Sequence, residues 1–368
     1  VQGAGSNPWT GSIARTLENL PLKWETTDTK NIGFDFGLFG NHLNGNVNYY
    51  LNETRDLLIT RRIAPSAGLD NPTLNVGKMR NQGFELELNW NDKINDFEYN
   101  VGFNISTIAN KVVALANEDQ TIYGVGLKYG TEHFPTQTKV GKPIGAFYLY
   151  QADGIFQSLE EVQAHKNSKG ELLQPNAQPG DVRFKDMNGD GVIDEDDKTY
   201  SGTGIAKVEA NLNLGASYKG FDFSAVIGSA FGNKIYNGIR YYYEGMNSAS
   251  NFLKSTLNAW TPTNTKTDVP RAIYGDPNQN TRESTRFLEN GDFVRLRQVQ
   301  LGYTLPKALS KQIYCDRIRF YVSAENVFTI TGYSGANPEF SQGVLNSGVD
   351  RFTYPFSRSY TVGAQVSF

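Results

Sequence analysis

Long stretches of this chain alternate apolar and polar residues with a period of two. Across Leu43-Asn44-Gly45-Asn46-Val47-Asn48-Tyr49-Tyr50-Leu51-Asn52 the odd positions are apolar or small and the even ones mostly Asn. Phe84 to Asn91, Phe97 to Ile105, Val208 to Tyr218 and Ile318 to Ala324 alternate in the same way. Successive side chains of a strand point to opposite faces, so each segment predicts one apolar and one polar face. The strands run to about ten residues or more, against the usual five or six of soluble sheets. A soluble sandwich would show the same alternation. Aromatic residues at strand ends favour a membrane: Tyr49-Tyr50, Trp90, Tyr218, Phe221, Tyr303 and Phe328 suit the two interfacial girdles of an outer-membrane barrel.

The connections between these segments alternate as well. Short turns fall at Gly40-Asn41, Asn95-Asp96 and Lys219-Gly220, with a longer one from Pro306 to Asp316. Between them lie long connections at about Arg61 to Lys78, Asn110 to Lys207, Tyr236 to Phe287 and Thr331 to Pro355. Transmembrane barrels have this asymmetry, with short periplasmic turns and long outer loops. The tracing gives about nine spanning strands, the last of which, Tyr360 to Phe368, ends on an aromatic residue. One strand breaks its alternation. In Phe293 to Tyr303 the apolar face moves from Val294 and Leu296 to Val299, Leu301 and Tyr303. A β-bulge near Arg297-Gln298 would restore one face and turn Arg295 and Arg297 into the lumen. The other reading is a strand that leaves the membrane there.

Charge and composition narrow the partners. Thirty-five basic residues stand against 38 acidic ones, a net charge of -3, so there is no nucleic-acid footprint. The single cysteine, Cys315, rules out an internal disulfide framework and reads as a buried, inert thiol. No apolar run is long enough for a transmembrane helix, which does not count against barrel strands. The chain starts at Val1 inside a polar stretch and reads as a mature or truncated piece of something longer.

The clearest chemical signature is Asp186-Met187-Asn188-Gly189-Asp190-Gly191-Val192-Ile193-Asp194-Glu195-Asp196-Asp197. Oxygen ligands fall at Asp186, Asn188, Asp190, the Val192 carbonyl, Asp194 and Asp197, with Gly191 at the sixth position, where the chain turns sharply. A hard divalent cation needs several oxygens converging from one short segment. Asp197 stands where helix-loop-helix hands carry a bidentate Glu; its shorter arm resembles extracellular calcium modules such as dockerins. The loop, at 186–197 within the long 110–207 connection, reads as a structural calcium site, with magnesium as the alternative hard cation. An ordinary solvated Asp/Asn/Gly turn is the plainer alternative.

Several segments carry a resemblance. Leu22-Lys23-Trp24-Glu25-Thr26-Thr27 followed by Asn31-Ile32-Gly33-Phe34-Asp35 is similar to the characteristic barrel segment of SusC-like TonB-dependent transporters of Bacteroidota. Gly180 to Asp186, Phe231-Gly232-Asn233-Lys234-Ile235-Tyr236, Gln300 to Pro306 and Ser323 to Phe328 also resemble that family. So does Tyr333-Ser334-Gly335-Ala336-Asn337-Pro338-Glu339, although the family usually shows Asp where this chain has Asn337. The resemblance spans nearly all of residues 1–368. It implies that an all-β chain supplies the C-terminal strands, about nine, of a 22-stranded antiparallel transmembrane barrel with long extracellular loops. It also implies a plug domain and a TonB-binding segment upstream of Val1, a SusD-like surface lipoprotein as partner, outer-membrane lipid around the sheet, and an oligosaccharide or peptide as cargo. Localisation in the outer membrane and TonB-dependent nutrient import follow from the same resemblance.

Other signatures are weaker. Tyr241-Tyr242-Tyr243 could stack on sugar rings, or extend an aromatic girdle. Arg295 and Arg297 are further candidates for cargo contact. Neighbouring carboxylates such as Glu160-Glu161 project in divergent directions and do not form a glycosidase pair. His42, His133 and His165 have no zinc spacing, and there is no phosphate-binding glycine loop. An enzyme is therefore not expected. The competing reading is a secreted or surface calcium-stabilised β-rich module that binds glycans or mediates adhesion.

Overall fold

The structure is a computed structural model that describes residues 15, 22–60, 63, 65–75, 77–115, 121–129, 131–246 and 251–368. Val1 and Arg61, the expected start of the first long connection, lie outside the described residues. Nine strands follow one another in a single antiparallel, hydrogen-bonded order. They are β1 (Thr26–Leu38), β2 (Leu43–Arg55), β3 (Gly77–Ile94), β4 (Phe97–Thr107), β5 (Val208–Tyr218), β6 (Phe221–Phe231), β7 (Phe293–Thr304), β8 (Arg317–Thr331) and β9 (Ser359–Ser367). Ala109–Leu115 pairs separately with the start of β3. Every strand pairs with its neighbour in sequence, and β1 and β9 are the two edges of an open sheet.

The alternation separates the two faces as the sequence predicts. In register, Phe34 lies opposite Val47, Val47 opposite Leu86, Leu86 opposite Ile105, and Ile105 opposite Ala210. On this face Ile32, Phe34, Val47, Phe84, Phe223, Leu301, Phe320, Val322 and Val362 are all exposed. An exposed apolar surface of that extent does not belong in water. It is the face for lipid, and this observation removes the secreted-module reading. The opposite face carries a polar ladder. Asn46 and Asn89 donate to the Glu87 carboxylate at 3.0 and 2.9 Å, and Asn211 donates to Asn104 at 3.0 Å.

The tight turns are built by residues that tolerate positive φ. Asn95 (φ 56°) joins β3 to β4, and Lys219 (φ 47°) with Gly220 (φ 89°) joins β5 to β6, as two-residue hairpin loops require. Just inside this short-turn end sits a belt of lipid-facing rings. Phe39 lies 6.0 Å from Trp90, Phe97 lies 6.5 Å from Tyr218, and Phe221 lies 4.5 Å from Tyr303. Tyr50 departs from the expected girdle: its parity turns it to the polar face, where its hydroxyl donates to the Thr107 carbonyl at 3.0 Å.

At the other end the long connections fold onto one another. Leu127, Phe147 and Leu149 come from the β4–β5 connection, Tyr236, Tyr241 and Phe287 from β6–β7, and Val349 from β8–β9. All seven are fully buried in one cluster. A small sheet also crosses connections, since Lys234–Asn237 pairs with Leu288–Asn290 on one side and with Val349–Asp350 on the other. The loops therefore form a packed outer layer with its own core.

Candidate functional site in the lumenal wall and outer layer

The shift in β7 is a bulge. Val299 faces Ala225 and Leu296 faces Ile227, with the register slipping between them; β8 slips at the same level. Val294 and Leu296 thereby return to the lipid face and Arg295 to the lumen. Gly228 makes room for the bulged Arg297, because a Cβ there would fall 2.1 Å from the Arg297 Nε. One carboxylate then holds both arginines. Arg295 donates to Glu339 Oε2 at 2.8 Å and Arg297 to Oε1 at 2.9 Å. Arg295 also donates to Thr329 at 2.9 Å and to the Asn337 side-chain oxygen at 2.6 Å, and packs over Phe356. It is buried, with each guanidinium nitrogen already donating, so it is not available to cargo, whereas Arg297 keeps 41% of its side chain exposed. Asn337 is uncharged, so Glu339 is the carboxylate that Arg295 pairs with.

The tyrosine run divides. Its helix, Gly238–Tyr243, starts where the Asn237 side chain caps Arg240 N–H at 3.1 Å. Helical spacing sends the three rings in different directions. Tyr241 is fully buried against Tyr236 and Phe287. It has no face for a sugar, which corrects that expectation. Tyr242 is half-buried and accepts from Lys128 N–H at 3.1 Å; Tyr243 lies at the surface against Phe352.

The 186–197 loop is closed on itself. Asp186 accepts from Gly189 and Gly191 N–H at 2.6 and 2.9 Å. Asp197, fully buried, accepts from Met187, Asn188 and Asp194 N–H at 2.6, 3.3 and 2.8 Å. The last ligand position is thus drawn onto the backbone at the start of the loop and at Asp194. Asn188 and Asp190 oxygens accept from Asp190 and Val192 N–H, both at 2.9 Å, and the Asp194 side chain caps the following turn at Asp196 N–H. Gly191, at φ 93°, takes the left-handed turn. Among the described residues no three His, Cys, Asp or Glu side chains converge on one point.

A buried charge network that sequence reasoning missed ties this loop to the layer. Lys198, next to Asp197, donates to Glu195 at 2.6 Å and to Glu283 at 2.5 Å, and His133 bonds the other Glu283 oxygen. Burial by itself would raise the Glu283 carboxyl, but the His133 hydrogen bond and the Lys198 ammonium outweigh it and hold the group at about 2. Burial, then the Glu195 carboxylate, pushes the Tyr150 phenol up. Nothing local marks Glu283, because its partners lie 85 and 150 residues away. Asp181, also fully buried, takes both arms of Arg271 at 2.8 and 3.1 Å. Cys315 is a buried free thiol.

A sheet with one lipid face and one polar face, short turns at one end and a packed layer at the other, defines a segment of an outer-membrane β-barrel. Residues 2–327 match the family described as TonB dependent receptor-like, beta-barrel. The chain is 30% identical to a TonB-dependent receptor of Formosa agariphila over 99% of its own length and 36% of that receptor. It is 28% identical to TonB-dependent receptor SusC of Bacteroides thetaiotaomicron, over 95% of this chain and 32% of that one. Among solved structures, that of the RagAB peptide transporter superposes with a TM-score of 0.77 at 27% identity, covering 98% of this chain and 38% of the other. The RagAB peptide importer in its closed-closed state gives a TM-score of 0.76 at the same 27% identity, over 97% and 37%. The chain belongs to the TonB-dependent receptor β-barrel family, a family of outer-membrane receptors and not of enzymes. It spans about 36% of the length of the first of these relatives.

Proposed function

We propose that the whole receptor imports an oligosaccharide or a peptide across the outer membrane, driven by TonB and supplied by a SusD-like surface lipoprotein. One observation carries the reading: a lipid-facing sheet whose polar face lines a lumen and whose long connections gather into one packed layer at the outer end. A lumen wide enough for such cargo leaks unless plugged. This reading places a plug and a TonB-binding segment in the part of the whole receptor that this chain does not span. The relative named SusC and the solved RagAB peptide transporter support TonB dependence and a lipoprotein partner, and the latter's name supports the peptide class of cargo. Growth of wild-type, receptor-deleted and TonB-deleted cells on polysaccharide or peptide as sole carbon source tests it. Both deletions are expected to abolish growth on the same nutrient; growth that survives TonB loss overturns the reading.

The loop at 186–197 is read as a calcium site, with magnesium as the alternative, held by Asp186, Asn188, Asp190, Asp194, Asp197 and the Val192 carbonyl. The fit lies in the donor set, which is oxygen only, and in a loop whose last ligand position, Asp197, already gathers the Met187, Asn188 and Asp194 N–H groups. A carboxylate has about four acceptor positions, so bonds from backbone N–H groups leave lone pairs for a cation. Bound calcium would cross-link the loop and stiffen its junction with Lys198. Hydrogen exchange on the full receptor, with and without a calcium chelator, tests this: protection of 186–197 is expected to fall on chelation, and unchanged protection sinks it.

A further inference from the structure

We propose that the turn joining β7 to β8 is a foot that binds anionic phospholipid headgroups of the membrane leaflet at the short-turn end of the sheet. The turn holds a one-turn helix, Lys307–Ser310, that continues as a 3-10 turn over Lys311–Ile313. It closes on itself: Cys315 N–H donates to the Ser310 carbonyl at 3.1 Å, and the Ser310 hydroxyl donates to the Lys307 carbonyl at 3.3 Å. Asp316 N–H donates to the Ser367 carbonyl at 2.8 Å, which ties the turn to the end of β9, and the helix packs against β8. Its side of the wall follows from Ile318. That residue shares the lipid face with Phe320 by parity, yet it is 6% exposed against 51% for Phe320. The turn therefore lies over the lipid side and continues the lipid face beyond the ring belt at Phe221 and Tyr303.

What the foot presents decides the partner. Lys307 and Lys311 stand four residues apart, and so do Leu309 and Ile313, so a helical turn sets cations on one side and apolar chains on another. Leu309, Ile313 and Tyr314 are all exposed, Tyr314 at 93%. Large apolar side chains gathered at one place are not stabilised by water. Tyr314 also holds φ 57°, a left-handed position that usually goes to Gly or Asn at a helix end. A tyrosine there costs backbone strain and gains a ring suited to the headgroup level. Charge completes the match. Lys307 and Lys311 are exposed, and neither makes an ion pair among the described residues. Lys219 of the neighbouring β5–β6 turn joins them, since Thr304 N–H donates to the Gly220 carbonyl at 2.8 Å. The β3–β4 turn at the same end differs, because Glu98 takes up Lys93 at 2.5 Å. Cations around an apolar wedge are the composition of a segment lying in the surface of an anionic membrane. A protein partner would also accept the wedge, but lipid already covers the face with which it is continuous.

Hydrogen exchange on the full-length receptor in lipid nanodiscs tests this. One set of discs is phosphatidylcholine alone, and the other contains about one-third phosphatidylglycerol. Exchange over 306–316 is expected to slow at least about threefold in the anionic discs, while the turn at Asn95-Asp96 stays unchanged. The slowing should vanish at about 0.5 M salt and in the double variant Lys307→Gln with Lys311→Gln. Both lysines are exposed and unpaired, so the double variant keeps the fold. Equal exchange in the two kinds of disc overturns the proposal. So does slowing that the double variant retains, or the same slowing at Asn95-Asp96, which would be a general effect of the lipid. The proposal rests on the lipid face of the barrel and not on what the receptor imports, so its failure leaves the import reading intact.

Discussion

The barrel sheet and the outer layer solve the same problem by opposite means. In the sheet each strand pairs with the next spanning strand, and alternation settles which face each side chain takes. In the layer the decisive contacts are remote: Asp181 with Arg271 across 90 residues, Val125 with Asn346 across 221. Lipid contact stabilises the sheet from outside, whereas the layer is held by its own core and by buried charges. Loosening the sheet costs one hairpin at a time, and loosening the layer means losing it as a unit.

That contrast can be broken experimentally. The largest effect is expected from Glu283→Ala, which leaves Lys198, 3% exposed, without its buried partner. Removing one member of such a pair costs about 3–5 kcal/mol. Hydrogen exchange is expected to lose protection across the layer while β2 to β8 keep theirs; uniform loss over both regions would show that they are one cooperative unit.

Next comes a paired substitution in β7. Leu301 faces lipid and Gln300, its neighbour, faces the lumen. Leu301→Arg is expected to destabilise the barrel by up to about 2–4 kcal/mol, according to its depth in the membrane. Gln300→Arg should be close to neutral. Denaturant unfolding in detergent or lipid checks both, and equal costs would mean the two faces are misassigned.

Acid offers a gentler version of the first experiment. Glu283 titrates at about 2 in the folded layer, against about 4.3 for an ordinary Glu. The unfolded state therefore takes up the proton first. Its stabilisation is fully present above about pH 4.3 and is lost as pH falls toward 2. Layer protection should decline in that window, and a Glu283→Gln receptor should show a shallower decline.

The smallest effect is local. Gly191 sits at φ 93° with Asn167 packed 2.9 Å from where a Cβ would be, so Gly191→Ala should cost about 1–3 kcal/mol. It should lower protection of 186–197 and leave the lumenal wall unchanged. Altered exchange at Arg295 or Glu339 would show that the loop and the wall are coupled.

What the sequence by itself determined is everything that depends on neighbours. Period two assigned the lipid and lumenal faces from Phe34 to Val362. The Asn95 and Lys219-Gly220 turns joined hairpins at the positions expected, and the broken alternation at Arg297 located the bulge. Each of these is a local conformational choice that a few consecutive residues settle. Tertiary structure decided the rest. Tyr241 and Tyr243 look alike in the chain, yet one is core and the other surface, because the direction of a short helix depends on what packs against it. Glu283 resembles any loop carboxylate until Lys198 and His133 arrive from two other segments. The convergence of Asn233, Arg297 and Glu339 on one cavity likewise exists only once two connections have folded onto strand β7. Side-chain alternation is a property of the backbone, whereas burial and charge pairing are properties of distance in space, which sequence separation does not record.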